Sequence, residues 1–128
     1  MKSIDEQFTS ISRAFSGATL TAAGNGMYLV RIPNVPLPTG WSQTSTEIRF
    51  VVPNGYPYAA PDCFWADQSL RLHNGAMPQN AQLGQTMPGQ SDVQTLWFSW
   101  HVNTAWNPST CDLMTYLKVI LRRFEALQ

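Results

Sequence analysis

Apolar residues recur at Ile4, Phe8, Ile11 and Phe15, the spacing of one helix face. Ser3-Ile4-Asp5-Glu6 ahead of them has the form of a capping box. Together they predict a helix over about 4–15, ended by Gly17. Residues 18–22 predict a short strand, Gly24-Asn25-Gly26 a turn, and 27–32 a second strand with Met27 and Leu29 on its apolar side. Pro33, Pro36 and Pro38 make 33–40 a rigid loop. Residues 44–52 alternate: Ile48, Phe50 and Val52 face one way, Glu47, Arg49 and Val51 the other. That period of two predicts a half-buried strand. Pro53, Pro57 and Pro61 then exclude a helix or a central strand. Cys63-Phe64-Trp65 predicts a short fourth strand. Residues 69–75 read as irregular, and 77–94 as a long polar loop, of a length that is usually functional or mobile. Residues 95–101 are densely aromatic. Leu113, Tyr116, Leu117, Ile120, Leu121 and Phe124 return to helical spacing and predict a helix over about 110–126. A helix, a strand meander, an irregular stretch and a helix predict an α+β fold with an antiparallel sheet of about four strands.

The length of 128 residues fits one domain spanning 1–128. Only 12% of residues are charged, so much of the surface is neutral, which points to a face covered by a partner. Eight basic residues balance eight acidic ones, which argues against a general nucleic-acid binder. The one basic cluster, Lys118, Arg122 and Arg123, falls in the last turns of the final helix, where cations complement the dipole. The N-terminus shows no leader-like apolar run, and no stretch approaches the ~20 apolar residues of a membrane span. Cys63 and Cys111 match no metal spacing and no disulfide framework. Two reduced thiols in cytoplasm are the expectation.

Several landmarks carry a resemblance. Tyr56-Pro57, followed by Pro61, closes the third predicted strand. Trp106-Asn107-Pro108 leads into the final helix. In this order they resemble the ubiquitin-conjugating enzyme superfamily, where a Tyr-Pro-x-x-Pro-Pro turn and a Trp-Ser-Pro motif hold those places. A closer set is Leu37-Pro38-Thr39-Gly40, Tyr56-Pro57 with Pro61-Asp62, Leu72 with Gly75 and Pro78, Phe98-Ser99-Trp100-His101, and Trp106 through Asp112 to Leu113. This set resembles the prokaryotic ubiquitin-conjugating-like family E. The resemblance implies a truncated ubiquitin-conjugating fold, with a long irregular active-site segment and one C-terminal helix in place of the superfamily's three. It implies a bacterial ubiquitin-like conjugation pathway, with phage defence as one setting. The implied partners are a ubiquitin-like protein, an adenylating activating enzyme and a deconjugating peptidase encoded nearby. Nucleic acid, membrane, cofactor and metal are not implied.

A conjugating enzyme needs an exposed nucleophile, an oxyanion donor and a base. The superfamily's cysteine lies a short way before the tryptophan of Trp-Ser-Pro. Here that place falls on Phe98-Ser99, so the catalytic cysteine is absent. Cys63 reads as a core thiol. Cys111, at the start of the final helix, is the second-choice nucleophile, because a helix N-terminus favours thiolate. Ser99 is the first choice, carrying the acyl group as an oxyester with His101 as base. Residues two apart share a face only if the chain is extended. The alternative is a surface hydroxyl and a histidine bonded to a backbone carbonyl. Trp100 stands where the family pattern has arginine. His73-Asn74 is similar to the superfamily's His-Pro-Asn, whose asparagine supplies the oxyanion donor; a plain turn is the alternative. Asn103 is a second oxyanion candidate. Asp112 reads as structural, at a helix N-terminus. Trp97, Trp100 and Trp106 divide between core and lid. Three functions follow: a conjugating enzyme working through Ser99, a catalytically inactive adaptor for the ubiquitin-like protein or its activating enzyme, or an unrelated ligand-binding α+β domain.

Overall fold

The computed structural model describes residues 2–88, 90, 93–102 and 105–128. The first helix, α1, spans Ile4–Ala14. Ser3 caps it and Glu6 reaches back, so the capping box forms as its sequence predicts. Two strands follow, β1 (Thr19–Gly24) and β2 (Met27–Pro36). Asn25 and Gly26 join them with φ of 54° and 77°, the positive pair a tight hairpin turn requires. β2 runs on through the predicted loop. It does so by a register shift between Ile32 and Val35, with Asn34 at φ 55° absorbing the bend. Pro33 lies within that shift, where a missing N–H costs no ladder bond. Within β2, Val30 and Ile32 enter the main core, while Leu29 packs on the sheet's other face.

β3 (Ser45–Val52) alternates as its pattern predicts, with Ile48, Phe50 and Val52 fully buried. β4 is Phe64–Asp67, one residue later than the apolar run suggests. The sheet then gains two strands within the stretches read as a polar loop and an aromatic segment. They are β5 (Ala81–Leu83) and β6 (Thr95–Phe98). All neighbours in the order β1-β2-β3-β4-β6-β5 are antiparallel. Among the described residues the sheet therefore has six strands rather than about four. β5 is a three-residue edge strand with two exposed side chains, so no alternation marks it. It exists because β6 offers a ladder to pair with.

The last helix, α2, spans Leu113–Glu125 and starts later than 110, because Asp112 is its N-cap. Asp112 accepts from the Thr115 N–H, and Thr115 accepts in return from the Asp112 N–H. Leu113, Tyr116, Leu117, Ile120 and Phe124 are buried against one face of the sheet. Phe124 sets its ring edge against both Phe64 and Phe98, 5.6 and 5.7 Å between centroids. Each such pair adds roughly 0.5–1.5 kcal/mol beyond burial. The basic cluster divides. Lys118 and Arg122 are exposed, as helix-end cations should be, but Arg123 is 1% exposed and belongs to the core. The opposite sheet face carries a smaller cluster of Leu29, Trp65 and Met87, with Cys63, Val93 and Trp97 against it. Part of the 77–94 segment thus serves as a cover.

α1 and α2 meet through one buried amide. The Gln7 side-chain oxygen accepts from the Tyr56 hydroxyl and, at 3.2 Å, from the Leu113 N–H. Its NH2 group donates to the Lys2 carbonyl at 2.9 Å. Gln7→Leu leaves a buried hydroxyl and a helix N–H unpaired. It should lower unfolding free energy by about 2 kcal/mol, read from the urea midpoint at unchanged slope.

Candidate functional site

The stack of Phe64 on Phe98 ends the β4–β6 ladder, with ring centroids 4.7 Å apart. Beyond it, the chain before β4 and the chain after β6 stay side by side. His101 Nδ1 lies 2.8 Å from the Asp62 carbonyl oxygen and also contacts its carboxylate Oδ1. Both partners are acceptors, so Nδ1 carries the proton and Nε2 is the free basic nitrogen of the neutral ring. On the other side, the Ser99 N–H donates to the Asn80 carbonyl at 2.8 Å, which continues the β5–β6 register. Asn80, Ser99, Trp100, His101 and Val102 line one depression of about 380 Å³. Ser99 is half-buried there and His101 exposed. The His101–Asp62 contact is 60% and 79% exposed at its two side chains. At that exposure it adds little stability, and its effect is to orient the ring.

The structure thus joins Ser99 and His101 in one depression. The imidazole does bond a backbone carbonyl, as the plainer alternative anticipates, but the carboxylate beside that carbonyl makes the arrangement a Ser, His and Asp set. No hydrogen bond joins the Ser99 hydroxyl to His101 among the described residues. Such bonds often tighten only when substrate binds. Trp100 turns inward, over the Arg123 guanidinium. The Tyr116 hydroxyl holds the Trp100 carbonyl at 3.0 Å.

Other candidates lie elsewhere. His73 donates its N–H to the Gly40 carbonyl at 2.9 Å, and the Asn74 side chain accepts from the Ala76 N–H at 3.0 Å. Both belong to an exposed turn beside Trp41, outside the lining of the Ser99 depression. Asn103 lies outside the described residues. Cys111 follows a turn whose Asn107 carbonyl accepts its N–H at 2.8 Å. It is half-buried and lines a separate cleft of about 450 Å³ with Lys2, Glu6 and Gln7. Tyr56 is buried beneath Trp106, whose indole N–H donates to the Pro57 carbonyl at 2.6 Å. Pro61 is buried, Pro108 lines the Cys111 cleft and Asp112 caps α2. These residues hold the loop between β3 and β4 against the start of α2. Among the described residues, no group of three His, Cys, Asp or Glu side chains is placed to hold a metal ion.

Sequence reasoning missed two residues. Asp62 served only as part of a landmark, because its partner is on another strand. Asn80 sits at φ 63° in what reads as an ordinary polar loop, and only the β5–β6 pairing brings it to Ser99.

A helix, an antiparallel meander, a second helix across it and the Tyr56-Pro57/Trp106 closure define a ubiquitin-conjugating-like α+β domain. The model of prokaryotic E2 family E matches residues 4–126, and the chain belongs to that family. It is therefore, in general terms, a component of ubiquitin-like protein conjugation. No match was found among curated proteins or among solved structures.

Cys63 is half-buried next to this site. Burial pushes its thiol pKa up and the Asp62 charge adds to that, while a hydrogen bond with Trp97 partly offsets both. A raised pKa means less thiolate at a given pH. In a Cys111→Ser variant, iodoacetamide should therefore alkylate Cys63 more slowly at pH 7–8 than it does in the same chain unfolded in urea. The folded chain's rate should reach half its maximum at a pH above the usual thiol range, as followed by mass spectrometry.

Proposed function

We propose that this protein accepts the C-terminus of a ubiquitin-like protein from an adenylating activating enzyme, as an oxyester on Ser99. The observation that carries this reading is the shared depression of Ser99 and His101, with His101 oriented by Asp62. A serine hydroxyl needs an adjacent base, and an oriented neutral imidazole is suited to that role. In loading, Ser99 Oγ attacks the activated acyl carbonyl and its proton passes to His101 Nε2. The bond to the activating enzyme's leaving group breaks, and that group takes the proton. In the second half-reaction an amine attacks the oxyester, forming the amide bond and losing a proton to the His101 imidazole, which returns it to the Ser99 oxygen as the ester C–O bond breaks. Asn80, on the wall of the depression, supplies a side-chain amide for the developing oxyanion.

Incubation with the activating enzyme, ATP and the ubiquitin-like protein should give a covalent adduct that resists thiols and is cleaved by hydroxide. Ser99→Ala should abolish it. His101→Gln should slow its formation about a hundredfold or more. Asp62→Asn should slow it less, because it disturbs the ring's orientation and leaves the base in place. An adduct that survives Ser99→Ala, but is lost in Cys111→Ser and cleaved by thiols, moves the chemistry to the second cleft. A stable complex with no adduct identifies an inactive adaptor.

A further inference from the structure

Arg123 is the largest fully buried side chain among the described residues, and no Asp or Glu side chain pairs with its charge there. Among the described residues its hydrogen bonds go to main-chain oxygens. Nη1 donates to Ala126 at 3.0 Å, and Nη2 donates to Gln79 at 2.9 Å and Gln128 at 2.8 Å. Nε is buried with no partner among the described residues. Three ring faces surround the cation: Phe98 at 5.4 Å, Trp100 at 5.3 Å and Trp41 at 5.9 Å. Burial pulls the guanidinium pKa down, yet arginine keeps its proton at any neutral pH. A desolvated cation held by main-chain oxygens and rings, with no acidic side chain beside it, is expensive to bury without a purpose, and a nonpolar residue of similar volume would often pack as well.

What those partners have in common is position. Phe98 and Trp100 flank Ser99 in sequence. Both turn to the guanidinium, and in an extended chain this aims the residue between them the other way. Gln79 precedes Asn80, whose carbonyl holds the Ser99 N–H. One side chain therefore ties down both walls of the Ser99 depression, from beneath. Lysine cannot reproduce this, because a single ammonium has no planar fork to span separated carbonyls and stacks less well on rings.

We propose that Arg123 is a positioning residue for Ser99: it sets the hydroxyl's direction and the distance between the 79–80 strap and the 99–101 segment. Its importance for acyl transfer rests on the reading of Ser99 as nucleophile; the positioning itself does not.

The test pairs two readouts on Arg123→Lys and Arg123→Met. Hydrogen exchange of the Ser99 amide reports the strap bond directly. It should speed up tenfold or more in Arg123→Met and less in Arg123→Lys, while the Val30 and Phe50 amides keep their relative protection. Single-turnover adduct formation should slow at least tenfold, with the half-saturating concentration of loaded activating enzyme unchanged. Leu121→Ala, a cavity variant on the same helix, serves as the stability control and should leave both readouts near wild type. Unchanged Ser99 protection in both Arg123 variants overturns the proposal. So does an equal acceleration in Leu121→Ala. If Arg123→Met does not fold, Arg123→Lys decides by the same criterion. If Ser99→Ala leaves the adduct intact, the nucleophile reading fails by itself, and the exchange result still judges Arg123.

Discussion

The contact on which the rest depends is the packing of Phe64, Phe98 and Phe124. Phe64 and Phe98 face each other across β4 and β6 with rings nearly parallel, 7° between their planes, and Phe124 closes over both edge-on. A side chain that buries fully contributes roughly 1.5–3 kcal/mol, so these three rings fix the register between two four-residue strands that hydrogen bonds alone would hold weakly. A slip of β6 by one residue would turn Phe98 to the outer face and break the stack. With the register fixed, the residues just past the ladder have no freedom to choose neighbours. Asp62 must meet His101, and Ser99 must meet Asn80. The candidate site is the frayed end of a sheet whose last pair is locked.

The two ends of α2 work differently. At its N-terminus the chain is held by the Asp112 carboxylate cap and by the Gln7 amide that also takes Tyr56. At its C-terminus the Trp41 indole N–H donates to the Phe124 carbonyl at 2.8 Å, and the Arg123 side chain reaches back to the 79–80 strap. Burial raises the Tyr56 pKa, with the Asp112 charge adding to it, and burial likewise raises that of Tyr116. Both hydroxyls therefore stay neutral donors at physiological pH, as their acceptors require. The Tyr56-Pro57/Trp106 closure and the Ser99 depression are thus supported by separate sets of bonds from one helix.

Much of this was legible in the amino-acid order. The capping box at Ser3, the alternation over 48–52 and the helical face from Leu113 to Phe124 each follow from local physics, and each formed. The location of Ser99 came from family landmarks rather than from any local pattern. What could not be read was set by pairing. β5 carries no period of its own, β2 passes Pro33 only because a bulge relieves it, and Arg123 looks like any helix-end cation until three rings are assembled around it. The same is true of Asp62 and Asn80, which acquire a role only through residues distant in sequence. Local signals specify elements; the site is made of what lies between them.

The proposed chemistry also accounts for why a serine would need more apparatus than a cysteine in the same place. A thiol has a pKa near 8.5, about one and a half units above neutral, so it enters and leaves as thiolate with little help. An alkoxide is far more basic, and neither its attack nor its departure is accessible at neutral pH without a proton partner. An oriented imidazole serves both half-reactions, taking the proton on loading and returning it on release. That need makes orientation of the ring, and of the hydroxyl it serves, part of the chemistry itself. Asp62 on the imidazole and the cation beneath Phe98 and Trp100 would then answer one requirement from two sides.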